Sequence, residues 1–149
     1  MQKNVTIQHI QQQGTRVATP QMVTVSAEAL EAWPCDKRQP FAQQGDLYFY
    51  KLHTIPRDAV RETHSGQLAP GVTRGSRHYV DLAQVRVYRL AQPAVLDGPL
   101  IEAPDGVLVA HPEHGHLVFP PGIYGVTYQR QYAEELRRVQ VYYRPPEIS

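Results

Sequence analysis

The stretch that decides the fold runs from Asp46 to Ile55 and reads DLYFYKLHTI. It is the first of six short segments that are rich in aromatic or β-branched residues and are bounded by turn-forming residues. The other five are HYVDLAQVRVYRL (78–90), GVLVA (106–110), HLVF (116–119), IYGVTYQ (123–129) and VQVYYR (139–144). Segments of this kind are typical of β-strands. The sequence therefore predicts an all-β domain, mainly antiparallel, built as a barrel or a sandwich, with one or two short helices.

The second of these segments changes its alternation part-way along. Val80 and Leu82 share one parity, whereas Val85 and Val87 share the other. A shift of one residue turns every later side chain to the opposite face of the strand. We therefore expect a bulge or a bend near Ala83.

Residues 1–44 differ in composition from the rest of the chain. They contain nine of the fifteen glutamines and no tyrosine, whereas all nine tyrosines lie in residues 45–149. We predict an ordered, glutamine-rich extension over residues 1–44 and a small β-barrel or sandwich domain over residues 45–149. The short elements expected in addition are two strands, a helical turn capped by a serine, and a second helix: Val5–Ile7, Met22–Val25, SAEALEAW (26–33) and YAEELRR (132–138).

Composition and charge exclude several classes of protein. The chain has 15 Lys+Arg against 14 Asp+Glu, and this balance argues against a general nucleic-acid or membrane-surface binder. The single cysteine, Cys35, excludes a disulfide framework and a cysteine-rich zinc module. No apolar run reaches the length of a signal-peptide core or a membrane span. We expect a cytoplasmic protein that does not bind membranes.

The histidines suggest a metal site. Three of them share the six-residue segment His111-Pro112-Glu113-His114-Gly115-His116 with a glutamate. Imidazole is the commonest metal ligand, and on an extended strand His114 and His116 would point to the same side. With His78 as a fourth ligand, the cluster is suited to a divalent Zn, Fe, Mn or Ni ion. The alternative is a polar loop whose histidines face water.

Two further groups of residues suggest binding surfaces. Arg74 and Arg77 lie in a glycine-containing turn, whose backbone N–H groups and guanidinium groups suit a phosphate or carboxylate. The C-terminal stretch alternates tyrosine with arginine, as in single-stranded RNA-binding surfaces and in protein contact surfaces. The candidate binding residues in that stretch are Arg130, Tyr132, Arg137 and Arg138.

Several motifs resemble a small bacterial and phage protein family of unassigned function. Its GDVL, GHxH, HxEH and LPxGxYxVxxQREY motifs resemble, in chain order, Gly45-Asp46-Leu47, Gly75-Ser76-Arg77-His78, His111-Pro112-Glu113-His114 and the stretch from residue 120 to 132. The resemblance covers Gly45 to about Val139. Ser76 stands where the family has the first histidine of GHxH, while His78 matches the second. The resemblance implies a domain boundary near Gly45 and, because of the missing histidine, a degraded or structural role for that motif.

The segment Gly115–Gly125 is also similar to the cupin superfamily. In cupins, a His-x-His strand and a Pro-x-Gly turn precede a further metal-ligating histidine on a β-barrel. Here Pro120-Pro121-Gly122 supplies the turn, and Gly125 stands where the later histidine would be.

The chain lacks the sequence motifs of known catalytic nucleophiles. No Gly-x-Ser-x-Gly is present, and Cys35 has no catalytic motif around it. Our interpretation is a non-catalytic β module that acts through contact with another protein or with itself. The alternative is a histidine-ligated metalloprotein or metal-dependent enzyme with a cupin-like site, and the second alternative is a single-stranded RNA-binding module.

Overall fold

The structure is a computed structural model that describes residues 21–69 and 78–130. The elements in these ranges are nine strands and one helix: β1 (Met22–Thr24), α1 (Ala27–Glu31), β2 (Ala42–Gln44), β3 (Leu47–Leu52), β4 (Val60–Glu62), β5 (Arg86–Arg89), β6 (Asp97–Ala103), β7 (Val107–Val109), β8 (His116–Phe119) and β9 (Gly122–Tyr128). The all-β prediction is therefore confirmed.

The strands form two sheets. The small sheet has the order β1-β8-β7, and the large sheet has the order β2-β3-β9-β6-β5-β4. The named strands pair antiparallel except β1 and β8, which run parallel. The strands of residues 21–69 and 78–130 do not close into a barrel, so their arrangement is that of a sandwich, one of the two predicted architectures.

The core lies between the two sheets and is centred on Phe119 of β8. Its ring packs 5.1 Å from the ring of Phe49 on β3 and 5.1 Å from the ring of Tyr124 on β9. Phe41, just before β2, approaches Phe119 edge-on at 5.0 Å. Aromatic rings contribute large buried apolar areas, so this cluster joins the small sheet to the large one. The Tyr124 hydroxyl donates a hydrogen bond to the Pro120 carbonyl.

The part of the extension that the structure describes is ordered and packs on the domain. Strand β1 and helix α1 form where the sequence predicts them, and Ser26 caps the helix by accepting a hydrogen bond from the Ala29 amide. Leu30 of the helix is buried, and Lys51 donates to its carbonyl. Gly45 lies in the two-residue turn between β2 and β3, so these strands pair across the predicted boundary.

The expected bulge near Ala83 is a complete turn. Asp81 accepts hydrogen bonds through its carbonyl from the Gln84 and Val85 amides and through its carboxylate from the Ala83 amide. These bonds end the extended conformation, and β5 begins afterwards at Arg86. The alternation change therefore marks the end of one extended segment and the start of another.

Three expected elements lie outside the described residues: the strand at 5–7, the helix at 132–138 and the segment at 139–144. Among the helices of the described part, none combines the length and the apolar character needed to cross a membrane.

Candidate functional site

The four histidines predicted as ligands come together beside the β2–β3 turn. His78 and His111 are each 1% exposed, His116 is half-buried and His114 is exposed. The ring of His111 lies 4.4 Å from the ring of His78 and 4.4 Å from the ring of His114, measured between centroids. The histidines therefore form a contiguous cluster rather than a set of solvated loop residues.

Gln44, which no motif in the sequence marks as a site residue, fixes the orientation of His78. Its side-chain nitrogen donates to the carbonyl of Val109 at 3.0 Å and to that of Gly115 at 2.7 Å. Its oxygen lies 2.7 Å from His78 Nδ1. Because the amide oxygen can only accept, His78 Nδ1 carries the proton and Nε2 is the unprotonated nitrogen of the neutral ring. The signal in the sequence was weak, because Gln44 is one glutamine of a glutamine-rich segment.

His111 holds the loop that follows it. Its Nδ1 accepts hydrogen bonds from the backbone amides of Glu113 at 2.9 Å and His114 at 3.0 Å. A nitrogen that accepts in this way carries no proton, so neutral His111 is protonated on Nε2. The His111 amide in turn donates to Nδ1 of His116 at 3.2 Å, which gives His116 the same tautomer. Two of the four histidines thus organise the turn that Pro112 and Glu113 occupy.

Gly45 allows the cluster to close against the β2–β3 turn. Its φ is +58°, in the left-handed region that favours glycine. A Cβ at this position would lie 2.7 Å from Cδ2 and 3.0 Å from Nε2 of His114, and 3.3 Å from Cε1 of His78. Any side chain here would therefore push against the exposed ring and approach the buried one.

The hydrogen bonds of the cluster form a network in which the buried polar atoms have partners. Within residues 21–69 and 78–130, every buried side-chain nitrogen and oxygen has a hydrogen-bond partner. In the same ranges, no group of three histidine, cysteine, aspartate or glutamate side chains is arranged to hold a metal ion. A ligand nitrogen must present a lone pair to the metal, whereas Nε2 of His111 and of His116 carries a proton in the tautomers just described. The metal set His78, His111, His114 and His116 stays a prediction.

The outer face of the small sheet carries an apolar surface, which we call the outer patch: Tyr79, Leu108, Ala110 and Val118. Leu108 of β7 pairs with Val118 of β8, and Tyr79 pairs with Ala110, two residues beyond Leu108 on the same face. Tyr79 is 45% exposed and Leu108 is 39% exposed. The alternate residues of β7 face the core and are buried.

A cleft of about 400 Å³ opens beside the outer patch. Tyr79 and Leu108 form one wall, and Asp81 and Gln84, from the turn before β5, line it as well. The cleft therefore combines apolar walls with two polar groups. This composition is typical of sites that take a side chain from a binding partner.

Of the predicted basic and aromatic residues, Arg130 is the one in the described part of the chain. It is exposed at the end of β9 and lines a cleft of about 900 Å³ together with Lys37 and Arg38. Lys37 is paired with Asp97 at 2.9 Å in this cleft. The remaining predicted residues lie outside the described ranges: Arg74, Arg77, Tyr132, Arg137 and Arg138.

The fold and the histidine cluster together define a two-sheet β-sandwich with a buried glutamine–histidine network at one turn. The family model described as Domain of unknown function (DUF8820) matches residues 43–129, and the chain belongs to this family. The match begins in β2 and ends just after β9, so β1 and α1 lie outside it. Searches of the curated proteins and of the solved structures each found no match.

Proposed function

We propose that this protein is a non-catalytic β module that binds another protein through the outer patch. The exposure of Leu108 on β7 and of Tyr79 on the segment bridged to Ala110, beside a cleft, carries this proposal. Contiguous apolar surface on a folded protein marks interaction sites, and tyrosine is among the residues that contribute most to binding. A rigid sheet also presents such residues with little loss of conformational entropy on binding.

The histidine cluster contributes rigidity to the module. Gln44 and the backbone amides of Glu113 and His114 hold the His78 and His111 rings in defined tautomers. Networks of this kind add rigidity to the loops that they connect. We include a cytoplasmic location in the proposal, because the lone Cys35 has no second cysteine in the chain to pair with.

Site-specific photocrosslinking in the native host tests the binding proposal. A photoreactive phenylalanine analogue replaces Leu108 in one version of the full chain and Val60 in the matched control. Val60, on edge strand β4, is 61% exposed and so reports non-specific crosslinking. We expect a discrete adduct from position 108 that is absent from position 60 and is lost on Tyr79→Asp.

The mass of the adduct distinguishes a second copy of the chain from a different protein. Equal adducts at positions 60 and 108, or no adduct at either position, would contradict the proposal. An adduct that ribonuclease removes would favour the RNA-binding alternative instead.

Metal binding is a second candidate function, favoured by the contact between the His78, His111 and His114 rings. The Gln44 contact to Nδ1 is also what orients a ligating histidine in known metal sites. A metal on Nε2 of His111 would require the ring proton to move to Nδ1, and Nδ1 would then lose the hydrogen bonds from the Glu113 and His114 amides. The resemblance to the GHxH motif, in which Ser76 replaces one histidine, implies that any such site has lost a ligand.

Elemental analysis of full-length protein purified without a histidine tag tests this second candidate. We expect stoichiometric Zn, Fe, Mn or Ni in the wild type and in the matched control His64→Ala, whose histidine is exposed and outside the cluster. The His114→Ala variant should lose the metal. Wild-type protein that takes up no metal after incubation with each of these ions would exclude metal binding.

A further inference from the structure

Strand β1 occupies one edge of the small sheet, and it comes from outside the family domain. Its partner β8 and the next strand β7 both lie within residues 43–129, which the family model matches, whereas Met22–Thr24 do not. The family domain alone would therefore end its small sheet at β8. A free edge presents a row of backbone N–H and C=O groups that can pair with another strand.

The β8 edge is shaped to receive a strand. The His116 amide donates to the Gln21 carbonyl at 2.6 Å, and the Val118 carbonyl accepts from the Val25 amide at 2.9 Å. Gly115, with φ +84°, lies so close to Gln21 that a Cβ would be 2.9 Å from the Gln21 carbonyl oxygen. A glycine at this point allows an incoming backbone to approach closely, whereas a residue with a side chain would block it.

The pairing of β1 is short. It covers three residues and is parallel, which is slightly less stable per residue than antiparallel pairing. All three residues of β1 are half-buried, and Val23 and Val25 pack against the core from its margin. Strand β1 is therefore held by one short pairing and by contacts at the margin of the core.

We propose that the β8 edge is a binding site for an extended strand of a partner protein, which β1 occupies until the partner displaces it. The partner segment runs parallel to β8 and carries β-branched apolar residues at alternate positions, like Val23 in β1 and Val25 just after it. This is strand addition to a sheet edge, in which backbone hydrogen bonds give affinity and alternate side chains give specificity. The inference concerns the backbone edge of β8 and does not depend on the outer patch.

Occupancy of the edge is coupled to the histidine cluster. The His116 amide donates to the carbonyl of Gln21, the residue just before β1, and His116 Nδ1 accepts from the His111 amide. Release of β1 removes the hydrogen bond from the His116 amide to the Gln21 carbonyl. The hydrogen bond from the His111 amide to His116 Nδ1 remains, but His116 then has no strand partner on the β1 side. The exchange rate of the His116 amide with solvent therefore reports whether the edge is occupied.

Peptide binding to the full-length chain tests the proposal. The variant Val23→Asp places a charge against the core and should release β1, whereas the matched control Thr24→Asp places the same charge on the outer side. The probes are a fluorescently labelled peptide of residues 21–26, QMVTVS, and the altered peptide QMDTDS. In the wild type, β1 competes at an effective concentration in the millimolar range, so QMVTVS should bind weakly.

We expect QMVTVS to bind Val23→Asp at least tenfold more tightly than it binds the wild type or Thr24→Asp. QMDTDS should not bind. Hydrogen exchange checks the state of each variant: the His116 amide should exchange faster in Val23→Asp, while the central β9 residue Val126 stays protected. Equal affinity for the two peptides, or no binding of QMVTVS to a folded Val23→Asp chain with a fast-exchanging His116 amide, would overturn the proposal.

A substitution on the receiving side provides a second readout. Gly115→Ala places a methyl group where the backbone of the incoming strand must pass. Combined with Val23→Asp, it should weaken QMVTVS binding at least tenfold relative to Val23→Asp alone. Unchanged binding in the folded double variant would place the peptide elsewhere and refute the site.

Discussion

Replacing Gln44 by leucine should destabilise the protein strongly. The side chain is 2% exposed and makes three hydrogen bonds, to His78 Nδ1 and to the carbonyls of Val109 and Gly115. Leucine has a similar volume but leaves all three partners unpaired in the interior. A buried polar group without a partner costs about 1–3 kcal/mol, so the three together predict a loss of at least about 3 kcal/mol. Such a loss is a large fraction of the roughly 5–15 kcal/mol that stabilises a typical domain.

The neighbouring Gln43 provides the matched control. It is exposed, and its side chain donates to the Gly45 carbonyl at the surface. Gln43→Leu should change the free energy of unfolding by about 0.5 kcal/mol or less. Urea unfolding followed by far-UV circular dichroism measures both variants. With a slope of about 2 kcal/mol per molar urea, Gln44→Leu should lower the midpoint by about 1.5 M.

The refuting result is a Gln44→Leu midpoint within about 0.3 M of the Gln43→Leu midpoint at the same slope. It would mean that His78 and the two carbonyls find other partners, and that the network does not hold the loop. A changed slope would instead indicate that the variant no longer unfolds in a single transition.

Three further predictions concern Gly45 in the β2–β3 turn, the buried hydroxyl of Tyr124 and the core residue Phe119. Gly45→Ala should lower the free energy of unfolding by about 2 kcal/mol, because of left-handed strain and contact with the His114 ring. If the contact contributes, the loss should be smaller in a His114→Ala background. Thermal unfolding of the wild type, the two single variants and the double variant measures the loss and its dependence on His114. Burial raises the pKa of Tyr124 above its usual value, so the unfolded chain loses this proton first: the contribution of Tyr124 to stability should be level below about pH 10 and fall as the pH rises further. Tyr124→Phe should make the decrease of the unfolding free energy with pH shallower by up to about 1.4 kcal/mol per pH unit. Urea titrations at a series of pH values measure this decrease, and the same decrease in wild type and variant would contradict the raised pKa of Tyr124. Phe119→Ala should lower the free energy of unfolding by about 3–5 kcal/mol, against about 0.5 kcal/mol or less for the exposed control Leu108→Ala. Similar urea unfolding midpoints for the two variants would show that Phe119 is not at the centre of the core.

Local sequence patterns predicted some of the strands and failed to predict others. Strand β3, within DLYFYKLHTI, has the aromatic and β-branched composition that marks strands. Strand β6, DGPLIEA, contains a glycine and a proline, which usually mark turns. It forms a strand because β5 and β9 pair with it on both sides. The strand conformation of β6 therefore depends on partner strands, and local sequence patterns do not reveal this pairing.

The candidate site was predictable to a similar extent. The short spacing of His111, His114 and His116 marked the cluster, and His78 joined it because its segment and the cluster flank strands that could be neighbours. The position of Gln44 depends on how β2 faces the β7–β8 loop, so composition could not distinguish it from the other glutamines. The tautomers depend on the directions of backbone amides, which appear only once the loop is folded.

The parallel pairing of β1 with β8 has a consequence for the order of folding. Met22 pairs with His116, so the two partners lie ninety-four positions apart in the chain. At a synthesis rate of about 5–20 residues per second, β1 is synthesised roughly 5–20 seconds before its partner. During this interval Val23 and Val25 have no sheet to join, and a nascent chain exposes them to chaperones. The small sheet is therefore completed late in synthesis, after the hairpin of β2 and β3 has had time to form.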